Sequence, residues 1–207
     1  VGFKAVIGSH QYLTDLMTEI NKRGIESAPD FISIDSSDGG TGAAPQPLFD
    51  YVGLPLKESL PLTIDLLEQH GLRQRIKVIC SGKMITPSGV AWAKAVGADV
   101  VVSARGFMFA LGCIQALQCN KNTCPTGITT HDEELQEGLV IEDKKERVYH
   151  YHKNMVKAVE MIAHSCGVKS AHELKREHVR VVTETGLSTP LDKLHPNQEN
   201  EIDTKSI

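Results

Sequence analysis

A repeated unit constrains this chain most: an apolar run of strand length, a turn signal, then a helical pattern. Such runs occupy Gly2–Ile7, Phe31–Asp35, Ile76–Cys80 and Asp99–Ser103. Their alternation with helical segments predicts parallel βα units. The helices carry their own punctuation. Gln11–Arg23 stops at Gly24, Ser59–His70 stops at Gly71, and Thr86–Val96 opens on a Thr-Pro pair and stops at Gly97, residues that suit helix starts and ends. The Val/Ile-rich runs read as strands buried on both faces rather than half-wet ones. Four units cannot close an eight-stranded barrel, so the expected α/β fold is either part of a barrel continued upstream or a small open sheet.

Beyond Thr130 a charged linker leads into a helical segment. Its apolar positions Val148, Tyr151, Met155, Val159, Ile162 and Cys166 recur at i+3 and i+4 spacing, the stripe of a helix packed on a core. From Thr183 to Ile207 the chain is rich in Pro, Asn and charge and reads as an extended or poorly ordered end. The expected division is residues 1–130 for the βα units and a cysteine loop, 131–182 for a helical extension and 183–207 for a tail.

Several classes of function are disfavoured by composition. The 207 residues carry a net charge of -4 with Lys and Arg scattered along the chain, so no basic face for nucleic acid is expected. No apolar run has the length of a membrane helix. Val1 stands directly before the first strand with no signal or transit sequence ahead of it, which reads as a cut through a larger fold. Five cysteines, an odd number without a secretion signal, point to free thiols in a reducing compartment, and a cytoplasmic location is expected.

Three segments carry chemistry. The first, Asp35-Ser36-Ser37-Asp38-Gly39-Gly40-Thr41-Gly42-Ala43-Ala44-Pro45, comes immediately after an apolar strand; its glycines Gly39, Gly40 and Gly42 permit positive φ and close backbone approach to a ligand, and they suit a tight surface turn equally well. The second is Ser81-Gly82-Lys83 at the end of the next strand. A small residue, a glycine and a cation before a helix make an anion site from free N–H groups and the helix dipole, whereas the plain alternative is a turn with a solvated Lys. Ser103-Ala104-Arg105-Gly106 repeats the arrangement one strand later. Two successive loops of this kind match the phosphate site that (β/α)8 barrels build after their last strands. The third is Cys113-x5-Cys119-x4-Cys124-Pro125. Three close thiols suit soft-metal or Fe–S ligation better than zinc, for which only His131 offers a nearby fourth ligand; buried free cysteines are the alternative. Cys80 and Cys166 read as buried thiols, and His150 and His152, two apart on a helix, point to different faces.

These residues resemble the FMN domain of glutamate synthases. The resemblance rests on DGGTGAAP at Asp38–Pro45, GLPLKESL at Gly53–Leu60, GADVVVSARGFMFALGCIQALQC at Gly97–Cys119, CPTG at Cys124–Gly127 and the RVYxxHxN segment at Arg147–Asn154. It spans about Val1 to Ser170 and is strongest with the short, FMN-binding glutamate synthase-related proteins.

The resemblance implies the C-terminal half of an FMN-binding (β/α)8 TIM barrel with a C-terminal helical extension. It implies Lys4 at a strand end beside the flavin N1/C2 carbonyl edge, where fixed positive charge favours reduced flavin. Asp38, Gly39, Gly40 and Thr41 would flank the flavin; Ser81, Gly82, Lys83, Ala104, Arg105 and Gly106 would hold its phosphate. Cys113, Cys119 and Cys124 would ligate a 3Fe–4S cluster. The implied activity is glutamate formation from 2-oxoglutarate and ammonia, with electrons from ferredoxin or an NAD(P)H-linked flavoprotein. Lys121 departs from the family's usual His/Thr-rich insert. The chain carries no N-terminal cysteine nucleophile or glutaminase segment, and it lacks the first barrel half, where the family keeps much of its 2-oxoglutarate site. An FMN enzyme with another substrate, a non-catalytic flavin and Fe–S electron-transfer module, an apo remnant that binds nothing, and a homo-oligomeric assembly are all left open by the sequence.

Overall fold

The computed structural model describes residues 1–38, 46–48 and 50–196. Strands β1 (Gly2–Val6), β2 (Phe31–Asp35), β3 (Lys77–Ser81) and β4 (Val100–Val102) form one parallel sheet in the order β1-β2-β3-β4. Helices α1 (His10–Arg23), α2 (Leu56–Gln69) and α3 (Pro87–Val96) return the chain between them. Their punctuation works as the sequence suggests: Pro87 stands at the start of α3, and the Thr86 hydroxyl accepts from the Gly89 amide at 3.3 Å. α2 begins at Leu56, three residues before the expected Ser59, because the Pro55 carbonyl already accepts from the Glu58 and Ser59 amides and the helix runs through Pro61.

The register explains the core. Ile32 lies opposite Val78 and Ile34 opposite Cys80, and all four are fully buried with Leu13 and Met17 of α1 and Leu67 of α2. Burying one such aliphatic side chain contributes about 1.5–3 kcal/mol. The alternate residues face the other way: Val6, Phe31, Val100 and Val102 are exposed. Among the described residues only one face of the sheet is therefore covered, which corrects the expectation of strands buried on both faces. Right-handed crossovers place successive helices on the same side of the sheet, so covering the second face would take further chain.

After β4 come α4 (Ala104–Leu111), the short α5 (Glu133–Gln136) and the long α6 (Ile141–Ser165). Small residues let α6 close on α3: Ala163 and Val159 are buried with Ala91 and Ala95. The end of the chain also departs from expectation. β5 (Arg180–Val182) pairs antiparallel with β6 (Ser188–Pro190), closed by a turn in which Gly186 takes φ 77°, and α7 (Leu191–Leu194) follows. Buried Leu191 joins the main core, and buried Arg176 donates to Asp65 of α2 at 2.5 Å and to the His195 carbonyl at 2.9 Å. Residues 183–196 are thus structured, while the remainder of the expected tail, 197–207, lies outside the described residues.

Candidate functional site

Asp35, Ser81 and Val102 are successive partners at the C-terminal ends of β2, β3 and β4, so the loops leaving these strands meet on one rim. In the first loop the Ser36 hydroxyl donates to Asp38 Oδ2 at 2.7 Å, and the same oxygen accepts from the Leu56 amide at 2.7 Å. Asp38 thereby ties its loop to the start of α2, a role the sequence did not reveal. Gly39, Gly40 and Thr41, expected beside a flavin, lie outside the described residues.

The second loop packs straight onto the first. A Cβ on Gly82 would overlap the Ser36 hydroxyl and come within 3.1 Å of Asp38 Oδ2, so only glycine lets the backbone pass. Lys83 takes the left-handed φ of 48°, uncommon for a side-chain-bearing residue, and its ammonium lies 3.5 Å from Asp50 Oδ1 with both side chains about half exposed.

The third loop opens α4. Ser103 is the N-cap but makes no side-chain cap hydrogen bond, and the first amides of a helix have no intrahelical acceptor. Ala104, Arg105 and Gly106 form that first turn, at the positive end of the helix dipole. Gly106 is buried; a Cβ there would overlap the Tyr151 hydroxyl and stand 2.6 Å from Ser103 Oγ. Two adjacent loops thus each contain a glycine that leaves no room for a side chain. These residues fit a bound phosphate: glycine backbones, a cation at Lys83 and an uncapped helix start converge on one rim.

Lys4 is the central residue of β1 rather than its end. Its side chain still reaches the rim, with Nζ 2.7 Å from Asp35 Oδ2 at the end of β2. The pair stands on the uncovered face of the sheet.

The cysteine loop follows α4. Gly112 ends that helix at φ 103°, and Gln115, Leu117 and Asn122 all adopt left-handed backbone. Cys113 Sγ accepts from the Gln115 amide at 3.4 Å. Cys113 and Cys119 line a cavity of about 50 Å³ with Arg105, Met108, Phe109 and Leu117. Burial works against the Cys124 thiolate, but the Thr126 hydroxyl, the Thr129 and Thr126 amides and the Thr129 hydroxyl outweigh it and bring the thiol down to about 6. Burial instead pushes Cys80 up to about 12, against the opposing pull of Lys94. Among the described residues no three Cys, His, Asp or Glu side chains are gathered as a metal site. The three thiols carry ligand chemistry, yet as placed they do not fit a common cluster.

Tyr151 is the residue that sequence reasoning left on a packing stripe. Its hydroxyl donates to the Ile85 carbonyl at 3.0 Å and lies 3.2 Å from Ser103 Oγ.

Comparison with known proteins agrees with this fold. Residues 12–169 match the conserved region in glutamate synthase. The chain belongs to the glutamate synthase family. It is 43% identical over 194 residues to the glutamate synthase large subunit-like protein YerD of Bacillus subtilis (strain 168), covering 94% of this chain and 37% of that protein. It is 33% identical over 155 residues to the archaeal glutamate synthase [NADPH] of Methanocaldococcus jannaschii, covering 75% of this chain and 30% of that protein. The chain therefore spans about a third of the length of these relatives. A solved structure of a flavocytochrome b2 double mutant with pyruvate bound superposes with a TM-score of 0.50 at 18% identity, over 84% of this chain and 32% of that one. At that identity the likeness concerns the fold alone, and four βα units with helices on one face are part of a (β/α)8 barrel. No helix among the described residues is long and apolar enough to cross a membrane.

Proposed function

We propose that this chain supplies the phosphate-gripping part of a glutamate synthase-type flavin oxidoreductase. One observation carries the reading: Gly82 and Gly106, in neighbouring βα loops, each leave no space for a Cβ, and the second opens a helix whose first amides its N-cap side chain does not satisfy. Backbone amides held this way form a preorganised anion site. The phosphate of FMN is the anion that membership of this family suggests.

In this reading Ser81, Gly82, Ala104, Arg105 and Gly106 present backbone or side-chain donors to the phosphate, and Lys83 neutralises its charge. The Lys4 ammonium, held toward the rim by Asp35, places fixed positive charge where negative charge gathers on a reduced flavin, which lowers the cost of that state. Reduced FMN would supply a hydride to the imine carbon of 2-iminoglutarate, formed from 2-oxoglutarate and ammonia with loss of water, and with a proton from solvent on the nitrogen this gives L-glutamate; the electron donor would reduce the flavin again. Gly39, Gly40 and Thr41 are proposed to border the flavin. Cys113, Cys119 and Cys124 are the proposed thiolate donors to a 3Fe–4S cluster, and because they are not gathered here no step of the reaction is routed through it. The electron donor, a ferredoxin or an NAD(P)H-linked flavoprotein, and a cytoplasmic location belong to the same proposal.

The test is to purify the protein anaerobically, identify any released flavin by mass, and assay ammonia-dependent glutamate formation from 2-oxoglutarate. FMN at near one per chain, with glutamate formed, is expected. FMN without glutamate would leave a flavin module with another substrate, and a colourless folded protein would contradict the reading.

A further inference from the structure

We propose that Tyr151, on the helical extension, is a positioning residue that fixes the two phosphate loops relative to each other from behind. The inference rests on the phosphate reading above.

The Tyr151 hydroxyl of α6 meets both loops through a single atom. It donates to the carbonyl of Ile85, in the segment leaving Ser81-Gly82-Lys83, and lies within hydrogen-bond distance of Ser103, the N-cap of α4. The strands that carry the two loops, β3 and β4, pair as far as Ser81 and Val102. Beyond those residues the Tyr151 hydroxyl bridges them. Its ring is held in turn: Phe107 of α4 meets it edge-on at 5.1 Å between centroids, an arrangement favoured by the ring quadrupoles. Gly106 completes the fit, since any side chain there would occupy the space of the hydroxyl. The absence of a side chain at Gly106 thus leaves the space that the Tyr151 hydroxyl fills.

A phosphate held by amides from two loops needs both loops at a fixed separation, because misplacement by a fraction of an ångström weakens several donors together. Both polar contacts of the Tyr151 hydroxyl are to the two loops, so its loss should act on phosphate recognition and leave isoalloxazine binding alone.

The experiment compares FMN with riboflavin, which lacks only the phosphate, by fluorescence titration of the flavin-free intact protein and its Tyr151→Phe variant. Phenylalanine keeps the ring against Phe107 and removes both hydrogen bonds. The expected result is a roughly tenfold fall in the FMN-over-riboflavin affinity ratio, as two hydrogen bonds of ordinary net strength imply, with riboflavin affinity within about twofold of wild type. A merely structural role would weaken both ligands alike and leave the ratio unchanged, which would overturn the proposal. The ratio depends only on molecules able to bind, so partial unfolding does not mimic the effect. If Tyr151→Phe does not fold, Ser103→Ala removes one of the two partners without touching the ring and should lower the ratio by roughly threefold; an unchanged ratio there contradicts the proposal. A wild-type protein that binds both flavins equally would sink the phosphate reading itself, an outcome distinct from a wild-type preference that survives in Tyr151→Phe.

Discussion

The two ends of the parallel strands are built differently. At the N-terminal end the chain satisfies itself: Asp99 accepts from the Val78 amide at 2.8 Å and pairs with Arg73 at 3.0 Å, Arg73 also donates to the Gly97 carbonyl at 2.7 Å, and Lys94 donates to the Asp99 carbonyl at 2.9 Å. At the C-terminal end glycines replace side chains, Lys83 sits in a strained backbone conformation, and α4 opens without a side-chain cap. The first end commits its polar groups to the fold, and the second is the end at which we propose a ligand binds. The same division between stability and function separates the two faces of βα barrels.

The largest effect should come from crowding the ligand end. Gly106→Val would drive a branched side chain into Tyr151 and Ser103, and overpacking of this kind costs about 1–3 kcal/mol or more. Flavin retained through purification should fall below a tenth of wild type, as a loss of that size implies; full retention would show that the glycine is not required by a ligand.

Next in size is a cut at the opposite end. Asp99→Ala leaves the Val78 amide and Arg73 without their carboxylate and should cost about 1–3 kcal/mol of stability, read by urea unfolding, with an unchanged FMN-over-riboflavin ratio. The pH dependence has a definite sign. Burial raises the Asp99 carboxyl, but the Val78 amide, Arg73 and Lys77 outweigh it and hold the group below its ordinary 3.8. Its contribution is therefore fully present above that value and is lost as pH falls through the lower folded one. Acid unfolding of Asp99→Ala should be correspondingly less steep below about pH 4. A change in phosphate preference in this variant would break the division between the two ends.

A smaller and more selective change is Lys83→Ala. Its pair with Asp50 is half exposed, a setting worth about 0–1 kcal/mol, so unfolding should barely move. Affinity for FMN should fall roughly tenfold through loss of a charge-assisted contact, with riboflavin unaffected.

The smallest effect is chemical rather than energetic. In protein freed of any cluster, Cys124, down at about 6, should alkylate with iodoacetamide at a rate that rises through that pH and levels off above it, whereas Cys80, buried and up at about 12, should stay unlabelled until the chain unfolds. Peptide mass mapping reads both sites at once.

The difference between the ends also bears on what was legible in the sequence. Ser81-Gly82-Lys83 and Ser103-Ala104-Arg105-Gly106 could be read because each is a local string between a strand and a helix. The partners that shape them could not: Ser36 and Asp50 reach the second loop from far along the chain, and Tyr151 lies 48 residues from Ser103 and 66 from Ile85. A helical period marks Tyr151 as facing the core and is silent on what it meets there. The uncovered sheet face was missed because Val100, Val101 and Val102 are apolar at every position, which hides the alternation that Phe31 to Asp35 displays plainly. The β5–β6 hairpin was missed because its strands are three residues each and its turn signal rests on Gly186 within a polar run. The thiol spacing was legible, whereas the left-handed backbone at Gln115 and Leu117 was not, since neither residue type signals a positive φ; Asn122 is of a type that enters this region more readily.

The central claim is that the two neighbouring loops grip a flavin by its phosphate. The most direct measurement is the dissociation constant of the flavin-free wild-type protein for FMN against riboflavin, taken side by side in one buffer. The account predicts FMN binding at least roughly a hundredfold tighter, as several charge-assisted hydrogen bonds to one phosphate imply; equal affinities would contradict it.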